Sequence, residues 1–366
     1  MLPAAAAGIA MAAEVTAATK INGNVLSYDG AAESFSLLKE GNDSHDYANP
    51  NLVFSIEGEK AGATIKLTTD GSNLNVAQTT QTIWFKPIDL FKVSVGKYDI
   101  ALNKEQIDWT ESETGLGGNG FVFSVNTSGF GLDVMFNEGD FNQWFTKDKD
   151  TDALIKEFAV KASYGADFGT VGAFFDYTGK TSTEAKDATY EVNPDFDPTA
   201  PIDATNSPLK VKDAAEPASE TDAEMKFGAG YRNNFAGVDV FGQVVGKVIG
   251  SKFTYIRPEL YASGSAADFG YSAFVAPKIY TDSDLDKDPE VELVAKVSYK
   301  VGEVTPYVYF KDKNLLAKKF VSTVKAGVNG NLDGMGWNVW LQLDTGNGTD
   351  KNKVNVSVPF ELTISF

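Results

Sequence analysis

One histidine, His45, and no cysteine stand among the 366 residues. Thiolate nucleophiles, disulfide frameworks and Cys-based metal sites are therefore excluded. A His-centred triad would have to be built on His45 and a neighbour such as Ser44, in a polar stretch with no G-x-S-x-G anywhere in the chain. Gly115-Leu116-Gly117-Gly118-Asn119-Gly120 is glycine-rich, but no Lys-Ser or Lys-Thr follows it. It reads as a loop entering a strand, not as a phosphate cradle. Asp282, Asp284, Asp286 and Asp288 fall at every second position, as at the start of a calcium loop. That loop needs Gly where Lys287 stands and Glu where Leu293 stands, so a solvated acidic loop is the better reading. The expectation is a protein that is not an enzyme and carries no metal or cofactor.

What remains are ionisable side chains at strand spacing. Side chains alternate between the two faces of a strand, so residues two apart share one. Near 154–164, Phe158, Val160, Ala162 and Tyr164 oppose Glu157 and Lys161. Near 225–232, Met225, Phe227, Ala229 and Tyr231 oppose Lys226 and Arg232. Near 291–300, Val291, Leu293, Ala295, Val297 and Tyr299 oppose Glu292, Lys296, Ser298 and Lys300. A Lys or Arg at mid-depth in hydrocarbon costs about 2–4 kcal/mol, so the charged rows must meet water. Apolar rows outside and ionic rows around water describe a pore. By parity its lining is Lys86, Lys92, Glu157, Lys161, Lys226, Arg232, Arg257, Glu259, Glu292, Lys296 and Lys325. Such a lining sorts solutes by radius and charge, with no covalent step. The formal net charge of -18 argues against a nucleic-acid partner and suggests a mild cation preference.

Those rows must be carried on strands, and the spacing supplies them. No helical period lasts more than a few turns, and no 18-residue apolar run could form a transmembrane helix. Short turns fall around Glu59–Gly62, Pro87–Leu90, Thr127–Phe130, Gly165–Gly169, Asn233–Gly237, Gly264–Gly270, Lys300–Glu303 and Asn329–Gly334. Longer polar connections lie between them, roughly 28–50, 70–79, 98–118, 138–153, 178–223, 280–290, 311–318 and 344–352, with a short one near 248–252. This alternation is what a membrane barrel imposes on its two rims. The expected fold is all-β: a transmembrane antiparallel up-and-down β-barrel of about 18 strands, with 16 as the alternative. Residues 13–366 form it as one domain, with 178–223 the longest external loop. Residues 1–12, an apolar Ala-rich run ending Ala10-Met11-Ala12, read as the rear of a secretory signal, an Ala-rich helix being the alternative. Two turns share a form, Ala166-Asp167-Phe168-Gly169 and Ala267-Asp268-Phe269-Gly270, in which Gly is expected to supply positive φ. Tyr98, Trp109, Tyr177, Tyr280 and Tyr309 are placed near strand ends, where an interfacial girdle belongs.

The final segment carries the longest stripe. Val354, Val356, Val358, Phe360, Leu362, Ile364 and Phe366 share one face, opposite Asn355, Ser357, Pro359, Glu361, Thr363 and Ser365. In this stripe, closed on an aromatic, the chain resembles bacterial outer-membrane β-barrel proteins. That resemblance implies residence in the bacterial outer membrane, contact with its lipid, and recognition of the strand ending at Phe366 by the barrel-assembly machinery. The stretch Trp84 to Lys97 reads as strand, tight turn, strand. It is similar to a unit of bacterial porins, especially spirochaete-type major outer-membrane proteins. The porin resemblance implies passive diffusion of small hydrophilic solutes or ions, and a homotrimer. It also implies a third external loop folded into the lumen. Asp99, Glu105, Asp108, Glu111 and Glu113 would then face basic wall residues such as Lys92, Lys161, Lys226 and Arg257. A solvated surface loop is the alternative for that segment. For the whole chain, the alternative is a major surface barrel acting as an adhesin or structural sheath protein through its long acidic loops.

Overall fold

The computed structural model describes residues 12–39, 49–69, 76–100, 116–137, 157–183, 188–193, 199, 207–213, 219–317, 321–346 and 354–365. Nearly all of them are strand. The first half of the chain supplies β1 (Ala12–Asp29), β2 (Ser34–Lys39), β3 (Asn49–Glu57), β4 (Ala61–Thr69), β5 (Val76–Ile88), β6 (Phe91–Ile100), β7 (Leu116–Thr127), β8 (Phe130–Asn137), β9 (Glu157–Ala166) and β10 (Gly169–Thr178). Four short strands follow, β11 (Thr181–Thr183), β12 (Thr189–Val192), β13 (Leu209–Asp213) and β14 (Ser219–Thr221). The second half is β15 (Glu224–Phe235), β16 (Val238–Ile249), β17 (Lys252–Ala266), β18 (Phe269–Tyr280), β19 (Glu290–Tyr299), β20 (Val304–Asp312), β21 (Ser322–Leu332), β22 (Met335–Thr345) and β23 (Val354–Ser365).

Apart from β11–β14, the strands form one 19-stranded antiparallel sheet. β2 and β3 lie end to end beside β1: Asp29↔Ser34 to Asn24↔Lys39 pair the upper part, and Lys20↔Asn49 to Ala12↔Glu57 the lower. They occupy one place in the wall, which therefore has eighteen among the described residues. From β3 onward each strand of this sheet pairs with the next in the sheet, β10 with β15, and β1 then pairs with β23 from Ala18↔Ser365 to Tyr28↔Val356. The sheet is closed on itself. Closure leaves no free edge along the β1–β23 seam, the condition under which strands can sit in lipid, while among the described residues β2 pairs with β1 alone.

The first connection differs from the expected long loop over 28–50. Asp29 accepts from the backbone N–H groups of Ala31 and Ala32 (2.8 and 3.2 Å), an Asx turn that reverses the chain within four residues. The expected short turns, from Glu59–Gly62 to Asn329–Gly334, fall between consecutive strands at one rim. They are stitched to one another by backbone bonds, Lys86 N to Lys60 O (2.7 Å), Gly165 N to Gly129 O (2.7 Å) and Lys300 N to Asp268 O (2.8 Å). Gly129 permits this: its φ is +82°, and a Cβ there would lie 2.4 Å from the Gly165 carbonyl oxygen. The two look-alike turns differ. In the first, Gly169 takes positive φ (112°); in the second, Ala267 does (52°), and Gly270 lies within β18. The shared tetrapeptide sits one residue later relative to its hairpin, so local similarity did not mean equal geometry.

At the other rim, beyond β10 and β15, β11 pairs with β14 and β12 with β13 as two separate two-stranded sheets. Thr181↔Thr221 starts one pair and Val192↔Leu209 ends the other. The long connection 178–223 is thus partly ordered as strand.

Directly paired residues point to the same side, so faces can be followed round the ring. One face bears apolar side chains standing in the open, such as Leu260, Val297, Val308 and Val339, all more than 40 % exposed. The other bears Arg257, Glu259, Gln243 and Ser124, all at most 5 % exposed, with small apolar clusters around Phe274, Ala276 and Val294 and around Val122, Met135 and Ala159. Inward side chains of a ring crowd one another and outward ones spread apart, which identifies the second face as the inner. Outward aromatics band the short-turn rim, where Tyr164 meets Phe168 (6.3 Å) and Phe269 meets Tyr271 (6.4 Å). Tyr177 is also outward, in ring contact with Phe158 at 5.6 Å. Tyr309 is not a girdle residue: it lies mid-strand in β20 and faces inward, paired with Lys325. Tyr280 ends β18 but likewise faces inward, paired with Tyr255. Trp109 lies outside the described residues, and Tyr98 pairs with Gly118 near the end of β6.

Candidate functional site

The inner face is set by register, which can be read as rows of paired residues crossing the strands. One row runs Ser263, Ser272, Lys296, Tyr309, Lys325 and Gln342. The next, one step towards the long-loop rim, runs Tyr261, Phe274, Val294, Lys311, Thr323 and Asp344. Charged and aromatic side chains therefore alternate across a continuous wall.

Each residue expected in the lining can be located on it. Lys92 pairs with Ser124, Lys161 with Asp133 and Glu157 with Thr178, all on the inner face. Lys86 shares that face on β5, its ammonium 5.3 Å from the Trp84 ring. Lys226 and Lys247 both reach Glu224 (3.2 and 2.7 Å), and Arg232 meets Asp239 at 3.0 Å. Arg257, Glu259 and Glu292 are brought into one network: Arg257 lies 3.1 Å from Glu259 and 2.9 Å from Glu292, and Lys311 lies 3.4 Å from Glu292. Gln243 donates to Glu259 from the neighbouring strand. Both Arg257 and Glu259 are buried, and the desolvation of each is offset by the other. Lys296 and Lys325 instead stand over rings, Lys296 4.9 Å from Tyr307, and Lys325 5.3 Å from Tyr309 and 5.5 Å from Trp340. A ring holds an ammonium without cancelling its charge.

Several inward ionisable groups escaped the parity reading: Lys247, Lys278, Lys311, Asp133, Asp176, Asp239, Glu224 and Glu290. The signal was there but blurred. On β18 the inner face carries Phe274, Ala276 and Tyr280 beside Lys278, while the outer carries Tyr271, Val275 and Ile279, so both faces look apolar.

Of the residues expected on a constricting loop, Asp99 lies on β6, its backbone paired with Gly117, so the strand extends further than the loop reading allowed. Glu105, Asp108, Glu111 and Glu113 lie outside the described residues. The acidic run after Tyr280 is used locally. Asp282 caps a single 3-10 turn at Ser283–Leu285 by accepting from the Asp284 N–H (3.0 Å), and Asp284 pairs with Lys252. That pairing holds the Asp284 carboxyl below the usual carboxylate range. At the opposite rim Lys60 and Asp89 join two neighbouring turns. The Lys60 ammonium, hydrogen-bonded to Asp89, lowers the pKa of that carboxyl and is itself raised by it.

No family model and no curated protein matches the chain by sequence. Solved structures do match it in shape. OccK11 (OpdR) of Pseudomonas aeruginosa is 8% identical, covering 97% of this chain and 96% of its own, with a TM-score of 0.54. The anion-selective porin from Comamonas acidovorans is 10% identical, covering 97% of this chain and 100% of its own, with a TM-score of 0.50. At such identities the likeness is one of fold: the chain is a β-barrel of the porin kind.

Proposed function

We propose that the protein is an outer-membrane porin, a passive diffusion channel for small hydrophilic solutes or ions. One observation carries the reading. Around a closed ring of eighteen strands, most ionisable residues of the described wall lie on the inner face, Asp312 at the long-loop end of β20 being an exception, and open apolar side chains cover the outer. A ring of that size leaves room for a water-filled lumen. Lipid against the outer face stabilises the barrel, and charges on the inner face keep the lumen wet. Transport then needs no covalent chemistry, and no catalytic role is assigned to any residue. The eleven lining residues named from sequence act as the charged wall that sorts solutes. Assembly of the closing strand by the barrel-assembly machinery, and a trimeric state, belong to the same reading.

Planar bilayers test it. Purified protein should give discrete conductance steps, and its unboiled form should migrate faster on a detergent gel than the boiled one. A folded, heat-modifiable protein that never gives steps would favour the surface-barrel alternative.

A further inference from the structure

Beyond the wall, on the long-loop side, the sheet of β12 and β13 stands with both of its faces open. Val192 pairs with Leu209 and Tyr190 lies two residues before Val192, so Tyr190, Val192 and Leu209 share one side. All three are at least 50 % exposed. The opposite side carries the ion pair of Glu191 and Lys210 (3.1 Å), also exposed. Asn193 fastens the far end: its backbone N–H donates to the Pro208 carbonyl (3.0 Å) and its side-chain amide to that of Ser207 (2.9 Å). A two-stranded sheet is only marginally stable in water, and a third strand or a covered apolar side is what secures it. Among the described residues this sheet has no third strand, and its apolar side is open.

Its two edges are not equivalent. β13 contains two lysines, the residue type that keeps a sheet edge from pairing and repels a cationic strand. β12 contains neither lysine nor proline. The Asn193 N–H points to β13, so alternation turns the N–H and C=O groups of Val192 the other way, along the outer edge of β12. Those are the groups that an added strand takes up. The connection 178–223 carries ten Asp and Glu against four Lys, a balance that attracts a cationic strand and disfavours a second copy of this chain. A strand alternating cationic with apolar side chains fits. Its apolar row prolongs the side of Tyr190, Val192 and Leu209, and its cations fall on the side of Glu191.

We propose that the outer edge of β12 is a docking site for a partner protein outside the cell, which adds an extended segment of alternating cationic and apolar residues as a third strand. The porin reading enters only through orientation, the long-loop rim of such a barrel facing outwards. Fluorescence anisotropy on the full chain in detergent tests it, with a labelled hexapeptide of alternating lysine and valine as probe and empty micelles as blank. The lysine–valine peptide should bind, a glutamate–valine counterpart should not, and hexalysine should bind at least several-fold more weakly. Val192→Pro removes the outward N–H while sparing the bonds to β13. Tyr190→Ser/Leu209→Ser removes apolar side chains while sparing the edge. Each should weaken the lysine–valine peptide at least several-fold, whereas Lys60→Gln at the opposite rim should leave it unchanged. All variants should retain heat-modifiable migration. No binding of the lysine–valine peptide, hexalysine binding as well as it does, or equal affinity in wild type and both β12–β13 variants would overturn the inference. So would self-association of the peptide-free chain that Val192→Pro abolishes, since the occupant would then be a second copy. Absence of conductance steps would overturn the channel reading instead and leave the peptide result standing.

Discussion

Lys60 and Asp89 show what one pair of residues can contribute to a barrel. They sit on the turns after β3 and β5 and close the gap between them, beside the backbone bond from Lys86 N to Lys60 O. Both are exposed, so the pair is screened and its worth is small. Its pH dependence nevertheless has a definite sign. Asp89 is held below its ordinary pKa, so its contribution is complete above that value, about 3.9 in model peptides, and is lost as pH falls through the lowered one. Lys60 is raised, so its contribution is present below the ordinary lysine value and is lost only in strong alkali. The wild-type chain should therefore exceed Asp89→Asn in urea midpoint at neutral pH, with the difference vanishing in acid. A difference still undiminished at pH about 2, well under the model value, would show that Asp89 acts by something other than its charge.

At the scale of the element, the operative rule is that a strand has two faces and only one tolerates charge. β17 offers a comparison within one strand: Leu260 stands outward and half exposed, while Ser263 faces inward opposite Asp239. Leu260→Lys should cost about 2–4 kcal/mol of folding free energy in bilayers. Ser263→Lys should cost far less, because its ammonium reaches water and a carboxylate. Folding titrations in lipid vesicles measure both, and equal costs would mean that the faces are misassigned. The same rule explains what could be read from sequence. β9, β15, β19 and β23 alternate cleanly; both charged residues of β9 were found, and Lys226, Arg232, Glu292 and Lys296 on β15 and β19, whereas Glu224 and Glu290, the first residues of those two strands, fall outside the ranges legible as strand. β18 hides Lys278 because an inner wall that packs on itself also uses Phe274 and Ala276. β2 was hidden for a different reason: six residues between an Asx turn and a polar stretch look like loop, and only pairing with β1 makes them wall. Pairing partners are non-local information, which a face pattern does not contain.

The whole molecule depends on a contact between its two ends. If the sheet were an open strip, β1 and β23 would be separated by sixteen wall positions, roughly 80 Å at about 4.8 Å each. In the closed ring Ile21 and Leu362 are direct partners. Paired Cα atoms in antiparallel strands lie about 4.5–5.5 Å apart, inside the window a disulfide spans. The chain has no cysteine, so Ile21→Cys/Leu362→Cys gives a clean probe. Mild oxidation of the folded protein should link the two positions within one chain, read as a shifted band after full denaturation without reductant. Either single variant should form at most dimers. A double variant that yields only intermolecular links would mean that the ring is open, and an open ring exposes an unpaired edge to hydrocarbon, where each unsatisfied backbone group costs several kcal/mol. No enclosed lumen would survive that outcome, which makes the β1–β23 seam the contact on which the channel reading rests.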